Sequence, residues 1–279
     1  MKSPFRGLNL RLITIILTAF CYSCKKTSPV PPAGFERTAE TDSSGVILAA
    51  IKCHYWVSAL RNESFLYVNN KLSVWDQFHE RYNLTFHQKG ALQKVDQYKK
   101  FFNQSVTYKL NYLENGDLSH TLIEIKDPFL IKVDTLFYTF DSGKRVLAIH
   151  RGYQGTHDRR QVETITYDGN GNISILKKYN SISQAVYDSV AYFYTNKKNP
   201  LLNSRISVFP GSMIIPVEFF NTNHISKIEQ KMDDSYWVRF KTTTYRSRFN
   251  KFDFPVSAVI DDGNSYNLSD SIEYIYQLK

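Results

Sequence analysis

The chain has 279 residues, of which 42% are hydrophobic and 15% aromatic, and its formal net charge is +9 at pH 7. That length allows one large all-β domain or two small ones, with a substantial core in either case. The excess of tyrosine and phenylalanine favours strands, because aromatic side chains suit a pleated, half-buried surface. Without residues 1–23, which carry three basic and no acidic residues, the charge is +6. That charge is modest for a domain of this size, so it suits anionic lipid or polysaccharide surfaces and does not require nucleic acid.

The first 23 residues have the pattern of a signal peptide. Basic residues precede an apolar run at 12–20, which is far shorter than the roughly 20 residues that a bilayer-spanning helix needs. The small Ser23 precedes Cys24, whereas a bulky phenylalanine precedes Cys21. We therefore predict a signal peptide over 1–23 and lipidation of Cys24.

This segment resembles a lipoprotein signal of the type cleaved by signal peptidase II. Residues 24–34 are polar and rich in proline, which predicts an extended tether after the lipidated cysteine. The resemblance implies an exported protein held in the bacterial envelope. Each lipid methylene group buried in the membrane contributes about 0.8 kcal/mol to the free energy of membrane binding. Lys25 and Lys26 stand where surface lipoproteins of the Bacteroidota often carry acidic residues. We therefore expect the outer membrane and favour its periplasmic face over the cell surface.

From about residue 65 the sequence repeats one unit, at intervals that settle near 26 residues. An aromatic-rich strand runs into a tip of Asn, Asp, Gly or Lys, and a second strand then opens on an aliphatic residue. The predicted tips are Asn69-Asn70, Lys89-Gly90, Asn115-Gly116, Ser142-Gly143, Gly169-Asn170-Gly171, Asn196-Lys197-Lys198 and Asn221-Thr222-Asn223. The aliphatic residues after the tips are Leu72, Leu92, Leu118, Val146, Ile173 and Ile225.

Alternation within the strands predicts one buried face and one solvated face. The residues predicted to share a buried face are Val106, Tyr108, Leu110 and Tyr112, and likewise Ile272, Tyr274 and Tyr276. Both faces are apolar over 136–140, so the sheet cannot lie flat and open. We predict a single all-β domain over 35–279, an antiparallel meander of repeated hairpins whose sheet is curled, stacked or partly closed. Residues 46–60 fit a short N-terminal helix or a first strand equally well.

Residues 167–173, Tyr-Asp-Gly-Asn-Gly-Asn-Ile, resemble the YD repeat of RHS-type proteins. In that repeat a Tyr-Asp strand end precedes a glycine turn and an aliphatic return strand. Over roughly 100–279 the body is similar to uncharacterised lipoproteins of the Bacteroidota that are built from degenerate copies of this unit. The resemblance implies a β-repeat fold and supplies no catalytic residue.

Motifs for catalysis or metal binding are absent from the sequence. It has no His-Glu-x-x-His pair, no Gly-x-Ser-x-Gly and no phosphate-binding Gly-Lys-Ser/Thr loop. The string Asp168-x-Asn170-x-Asn172 matches the opening of a calcium loop, but Tyr179 stands at the twelfth position, where a bidentate Glu is required. We interpret the string as a hairpin tip and expect no metal, no cofactor and no catalytic residue.

Residues 236–254 interleave basic and aromatic side chains. Nucleic-acid grooves can show this pattern, but an alternating strand with one packed face and one basic face also produces it. Since the protein is expected to be exported, we hypothesise that the basic face contacts anionic polysaccharide or lipid head groups. The candidate residues are Arg239, Lys241, Arg246, Arg248 and Lys251.

Together these features favour a non-catalytic envelope lipoprotein that acts as a binding or scaffolding module. Its expected contacts are the membrane, through the lipid on Cys24, and a glycan or an envelope protein, with no nucleic acid. Two alternatives stay open. One is a glycan-processing hydrolase that uses paired Asp and Glu residues, and the other is a carrier whose curled sheet encloses an apolar ligand.

Overall fold

The computed structural model describes residues 46–54, 63–68, 71–87, 91–127, 131–153, 158–202, 206–234, 237–262 and 270–278. All of them belong to one compact unit, Glu40–Lys279. The predicted signal peptide, Cys24 and the tether over 24–34 lie outside the described residues.

The described residues form sixteen β-strands in a single closed barrel. Each strand pairs antiparallel with the next, and β1 closes the barrel by pairing with β16. The strands are β1 (Val46–His54), β2 (Glu63–Val68), β3 (Lys71–Asp76), β4 (Glu80–Phe86), β5 (Leu92–Lys99), β6 (Gln104–Tyr112), β7 (Leu118–Lys126), β8 (Ile131–Phe140), β9 (Val146–Tyr153), β10 (Arg159–Tyr167), β11 (Ile173–Tyr179), β12 (Val186–Lys198), β13 (Asn223–Asp234), β14 (Trp237–Phe249), β15 (Pro255–Asp261) and β16 (Asp270–Leu278). The prediction of an all-β antiparallel meander is confirmed, and the sheet closes completely.

The N-terminal part of the body is a strand over 46–54, so a helix at these positions is wrong. Eight residues of β1 pair with β16 from Val46↔Leu278 to His54↔Ser271, with one register shift after Leu48. A helix here would leave β16 as an unpaired edge, and closure removes that edge. Residues 55–60 lie outside the described part of the chain.

The predicted inward faces are confirmed. Val106, Tyr108 and Leu110 on β6 are at most 6% exposed, whereas Lys109 between them is exposed. The aliphatic residues that follow the tips are likewise all buried, from Ile173 at 0% to Ile225 at 7% exposed. The repeat therefore places one aliphatic side chain per hairpin in the core, just inside the same end of the barrel.

Tyrosine hydroxyl groups join successive hairpins. In each case a tyrosine on one strand donates a hydrogen bond of 2.5–2.9 Å to a main-chain carbonyl 19–21 residues earlier. The pairs are Tyr67 with Leu48, Tyr112 with Leu92, Tyr167 with Val146, Tyr194 with Ile173 and Tyr276 with Pro255. Because these bonds are partly buried, each satisfies a carbonyl that water reaches poorly.

One pair of predicted tips is wrong. Asn196-Lys197-Lys198 is not a turn but the last part of β12, and Asn223 opens β13. Residues 199–222 between them form one long connection, described at 199–202 and 206–222. Polar residues at the two ends of this connection have the same spacing and composition as hairpin tips. For this reason the sequence repeat wrongly predicts a tip at each end.

This connection, which we call the plug (its described residues are 199–202 and 206–222), lies inside the barrel. Its apolar side chains belong to the same core as the inward-facing wall residues. Phe219 contacts Phe65 and Trp75 on one side of the wall, while the Tyr138 hydroxyl donates to the Pro210 carbonyl on another, at 3.2 Å. A sixteen-stranded barrel is wide enough to leave a water-filled lumen, and the plug occupies that space.

The outer wall over β5–β7 is charged. Lys94 pairs with Asp96 at 2.7 Å, and Glu124 lies 2.8 Å from Lys126 and 3.8 Å from Lys109. Charged side chains therefore pair with one another on the outer face of this part of the wall. In the part of the chain that the structure describes, no helix has the length and apolar character to cross a bilayer.

Candidate functional site

A cavity of about 300 Å³ lies between the plug and the wall. The wall side is formed by residues of β1–β3 and β13–β16, and the plug contributes residues at both of its ends. The side chains that give the cavity its chemistry are Glu63, Trp75, Gln77, Glu218, His224 and Tyr245. Ligand pockets in proteins typically measure about 300–1,000 Å³, so this cavity has the size for one small molecule.

Glu63 is the first residue of β2 and faces Trp75 on the neighbouring strand β3. The Trp75 indole N–H donates to Glu63 Oε2 at 2.8 Å. Trp75 also stacks on Tyr82, with ring centroids 4.5 Å apart and planes 17° apart. The tryptophan is therefore fixed in position and holds the Glu63 carboxyl at the cavity surface.

Glu218 approaches the cavity from the plug. It lies in a short 3-10 turn, Val217–Phe219, between two side chains that are at most 3% exposed. Among the described residues, only the main-chain N–H of Glu218 itself donates to its carboxylate. The carboxyl therefore faces the cavity without a partner side chain from the described part of the chain.

Burial raises the pKa of both carboxyl groups. For Glu63, hydrogen bonds from Trp75 and Gln77 act in the opposite direction, and the charge of Glu218 raises the pKa further. For Glu218, burial is opposed only by the hydrogen bond from its own N–H. Two acidic groups thus line the same cavity, and the charge of Glu218 makes ionisation of Glu63 harder.

His224 completes the polar part of the lining. Its Nε2 lies 2.7 Å from Ser247 Oγ, and its ring meets Tyr245, Phe249 and Tyr274 edge-on. Burial in this aromatic surrounding lowers the pKa of His224 to about 4. The imidazole is therefore neutral at neutral pH and brings no positive charge to the cavity.

The plug is fastened to the wall by a buried carboxylate. Glu163 on β10 accepts hydrogen bonds from the Ser212 N–H at 2.9 Å and the Ser212 hydroxyl at 2.6 Å. A register shift between Gln161 and Glu163 turns both Val162 and Glu163 inward. Burial raises the pKa of Glu163, and its bonds to Ser212 oppose that rise.

Asparagine side chains hold the ends of the plug. Asn199 donates to the carbonyls of Glu218 and Asn221, at 2.5 and 2.7 Å. Asn172 is fully buried and accepts from the Thr222 N–H at 2.8 Å. The plug's entry and exit are thereby tied to each other and to the turn after β10, which fixes the position of Glu218.

The calcium-like string is a turn, as expected from its sequence. Asp168 Oδ1 accepts from the main-chain N–H groups of Asn170 and Asn172, at 2.9 and 2.8 Å. Asp168 Oδ2 accepts from the Asn172 side chain at 3.0 Å. Among the residues described, no three His, Cys, Asp or Glu side chains are arranged to hold a metal ion.

The five basic residues of the polyanion hypothesis do not share one surface. Arg246 and Arg248 are exposed on the outer face of β14, alternating with Tyr245, which lines the cavity. Arg239 and Lys241 lie on the same face of β14 as Tyr245. They are exposed because this part of β14 extends past Asp261, the last residue of β15. Lys251 is exposed in the turn at the other end of β14.

Sequence patterns missed the cavity residues Glu63, Glu218 and His224. The strand pairing that brings β2 near β13 depends on closure through β1 and β16, which no local spacing reveals. One signal was present in the sequence. Glu218 is a lone acid in the apolar run Ile214-Ile215-Pro216-Val217-Glu218-Phe219-Phe220, and an acid in such a run is often placed for function.

No protein-family model and no curated protein matches the chain. Two solved structures of similar architecture are porin-like proteins from Bacteroides uniformis and Bacteroides vulgatus. The first is 12% identical, covers 84% of this chain and 97% of its own, and has a TM-score of 0.48. The second is 11% identical, covers 83% and 99%, and has a TM-score of 0.49.

A Tc holotoxin pore from Photorhabdus luminescens also matches, at 12% identity over 78% of this chain and 14% of that chain, with a TM-score of 0.23. At these identities and TM-scores the similar structures assign neither a family nor a function to the chain. The function is therefore argued from the cavity's own residues.

Proposed function

We propose that the chain is a non-catalytic binding module of the cell envelope, tethered by a lipid on Cys24, which holds one small molecule inside the barrel. The observation that supports this function is the cavity of about 300 Å³ with apolar and aromatic walls and a few polar groups. Small-molecule sites commonly combine an apolar lining with a small number of placed polar groups.

The plug makes the cavity a fixed site rather than part of a channel. It is anchored by Glu163 near its middle and by asparagines at its two ends. Phe219, at the cavity surface, is 2% exposed and packs against Trp75 with ring centroids 5.0 Å apart. A wall with so little freedom is pre-organised, which lowers the entropic cost of binding.

A cavity-filling variant tests the proposal. Ile260 on β15 lines the cavity, whereas the adjacent Val259 is 37% exposed and faces outward. We expect ligand-observed NMR with a fragment library to find molecules that bind the wild type and Val259→Trp but not Ile260→Trp. Thermal unfolding of each variant checks that the barrel is intact. If no fragment distinguishes the two variants, the cavity is not a binding site.

The tether is tested separately. In cell fractionation the wild-type chain is expected in the membrane fraction, and Cys24→Ala is expected in the soluble fraction. Protease treatment of intact cells then distinguishes the two faces of the outer membrane, with protection expected for the periplasmic one. Unchanged membrane association of Cys24→Ala would show that the lipid on Cys24 is not the anchor.

A glycan hydrolase is the second candidate, because two carboxyl groups with raised pKa share the cavity. Glycosidases use such a pair, one group as acid and the other as base or nucleophile. Aryl glycosides that fit the cavity are the substrates to try. Turnover that disappears in both Glu63→Gln and Glu218→Gln would replace the binding function with catalysis, and an absence of turnover keeps the binding function.

A further inference from the structure

The charge in the cavity is one-sided. Its lining includes the carboxyl groups of Glu63 and Glu218, and among the described lining residues there is no lysine or arginine. His224 is neutral there because burial lowers its pKa. This imbalance is local, since the chain as a whole is basic, with 35 Lys and Arg against 26 Asp and Glu.

Such an arrangement is costly for an empty protein. Glu63 and Glu218 are both half-buried, so their carboxyl groups lose part of their hydration, and without an opposite charge nearby this costs free energy. Proteins usually place an arginine or lysine beside a buried carboxylate, as Arg151 lies 2.9 Å from Asp134 in this barrel. No described side chain plays this part for Glu218, so the compensating charge is expected from a ligand.

The remaining lining suits an organic cation. Trp75, Phe219, Tyr245 and Tyr274 place aromatic rings around the space that the carboxyl groups face. Aromatic rings attract ammonium groups through their negative faces, and the effect increases when the site is desolvated. Isoleucines of β1, β15 and β16 supply an apolar surface for the rest of the molecule.

A bare metal ion fits the cavity less well. Two carboxyl groups and a neutral imidazole line it, but the described residues contain no cluster of three donors with metal-binding geometry. Calcium would need six to eight oxygen ligands. The aromatic and aliphatic surface has no role in holding such an ion, whereas an amine with an apolar body uses both parts of the lining.

We propose that the cavity takes a small organic ammonium ion, with its charged nitrogen at Glu63 and Glu218 and its apolar body against Trp75, Phe219 and the isoleucines. This assignment rests on the proposed binding function and names the chemical class of the ligand.

Binding is coupled to protons. Burial raises the pKa of both carboxyl groups, so in the free cavity they take up protons at a higher pH than exposed carboxyl groups do. An ammonium ion binds the ionised form, so the affinity falls as the pH falls. An uncharged molecule of the same shape lacks this coupling.

The test is isothermal titration calorimetry on the full chain with 2-phenylethylamine and its uncharged analogue 2-phenylethanol. At a pH of about 8 we expect the amine to bind about tenfold more tightly than the alcohol. The affinity for the amine should fall toward pH 5, and that for the alcohol should not. These measurements need only the wild type, so they remain decisive if a variant fails to fold.

Variants then locate the charge. Glu218→Gln is expected to remove the preference for the amine and leave the affinity for the alcohol, while Glu114→Gln, in an exposed turn, changes neither. If the alcohol or other neutral fragments bind in the cavity and the amine binds no better, the ammonium assignment is overturned and the binding function stands. If neither probe binds and no fragment distinguishes Ile260→Trp from Val259→Trp, both fail.

Discussion

Replacing Gly211 with alanine tests whether the plug is packed against the wall as described. Gly211 has a φ of +115°, and a Cβ at this position would lie 2.6 Å from Ile149 Cδ1 and 3.2 Å from Glu163 Oε2. Ile149 is fully buried, so it has little room to move away. The substitution therefore strains the backbone and crowds the contact that holds the plug.

The expected cost has two parts. A left-handed backbone costs a residue with a Cβ about 1–2 kcal/mol, and overpacking a core typically costs about 1–3 kcal/mol. We therefore expect Gly211→Ala to lower the free energy of unfolding by about 2–5 kcal/mol. Gly116→Ala is a matched control, because Gly116 has a φ of +85° but nothing within 4 Å of its Cβ position. It should lose only the backbone part.

Urea unfolding measures the change in the free energy of unfolding for both Gly211→Ala and Gly116→Ala, provided that the variants have the same m-value as the wild type. Gly169→Ala, in open space without a positive φ, provides the baseline and should stay within about 0.5 kcal/mol of the wild type. If Gly211→Ala loses no more stability than Gly116→Ala, the plug does not pack on Ile149 and Glu163.

Three further outcomes follow from the structure. Tyr112→Phe removes the hydrogen bond to the Leu92 carbonyl and should lower the free energy of unfolding by about 1 kcal/mol in the same urea assay. Tyr98→Phe is the control and should be nearly neutral, because the hydrogen bond of the Tyr98 hydroxyl is exposed to solvent. The pKa of His224 is lowered to about 4, so the stability that it confers is lost as the pH falls from 6.5 toward 4. Between pH 7 and 5 the wild type should lose about 2 kcal/mol more than His224→Leu, and equal losses would place the imidazole in water. Finally, if the outer face of β14 binds polyanions, Arg246→Glu with Arg248→Glu should elute earlier from an acidic glycan column, and unchanged elution contradicts that hypothesis.

The wall of the barrel could be predicted from the sequence because its signals are local. Alternation over 106–112 and the buried aliphatic residue after each tip follow from the two-residue period of a strand. The Tyr-Asp strand end at 167–168 was visible in the sequence, but the hydrogen bond from Tyr167 to a carbonyl on the preceding strand was not. That contact depends on how neighbouring strands are staggered.

The plug and the cavity could not be predicted in the same way. Asn196 and Asn221 lie one repeat apart and have the composition of tips, so the pattern hid the buried segment between them. Glu63 and Glu218 line the same cavity only because the barrel closes and the plug folds inside it. The basic residues of β14 do not form a single surface for a simpler reason. Arg239 and Arg246 are seven positions apart in the strand, and an odd difference in position places two side chains on opposite faces of β14.

The most direct test of the binding site is a crystal structure grown with 4-bromophenethylamine, in which anomalous scattering locates the bromine. The bromine peak is expected inside the barrel beside Ile260 and Phe219, with the ammonium nitrogen between Glu63 and Glu218. A well-ordered plug around a cavity without bromine, at a ligand concentration that saturates the calorimetric signal, would contradict the assignment of this cavity as the ligand site.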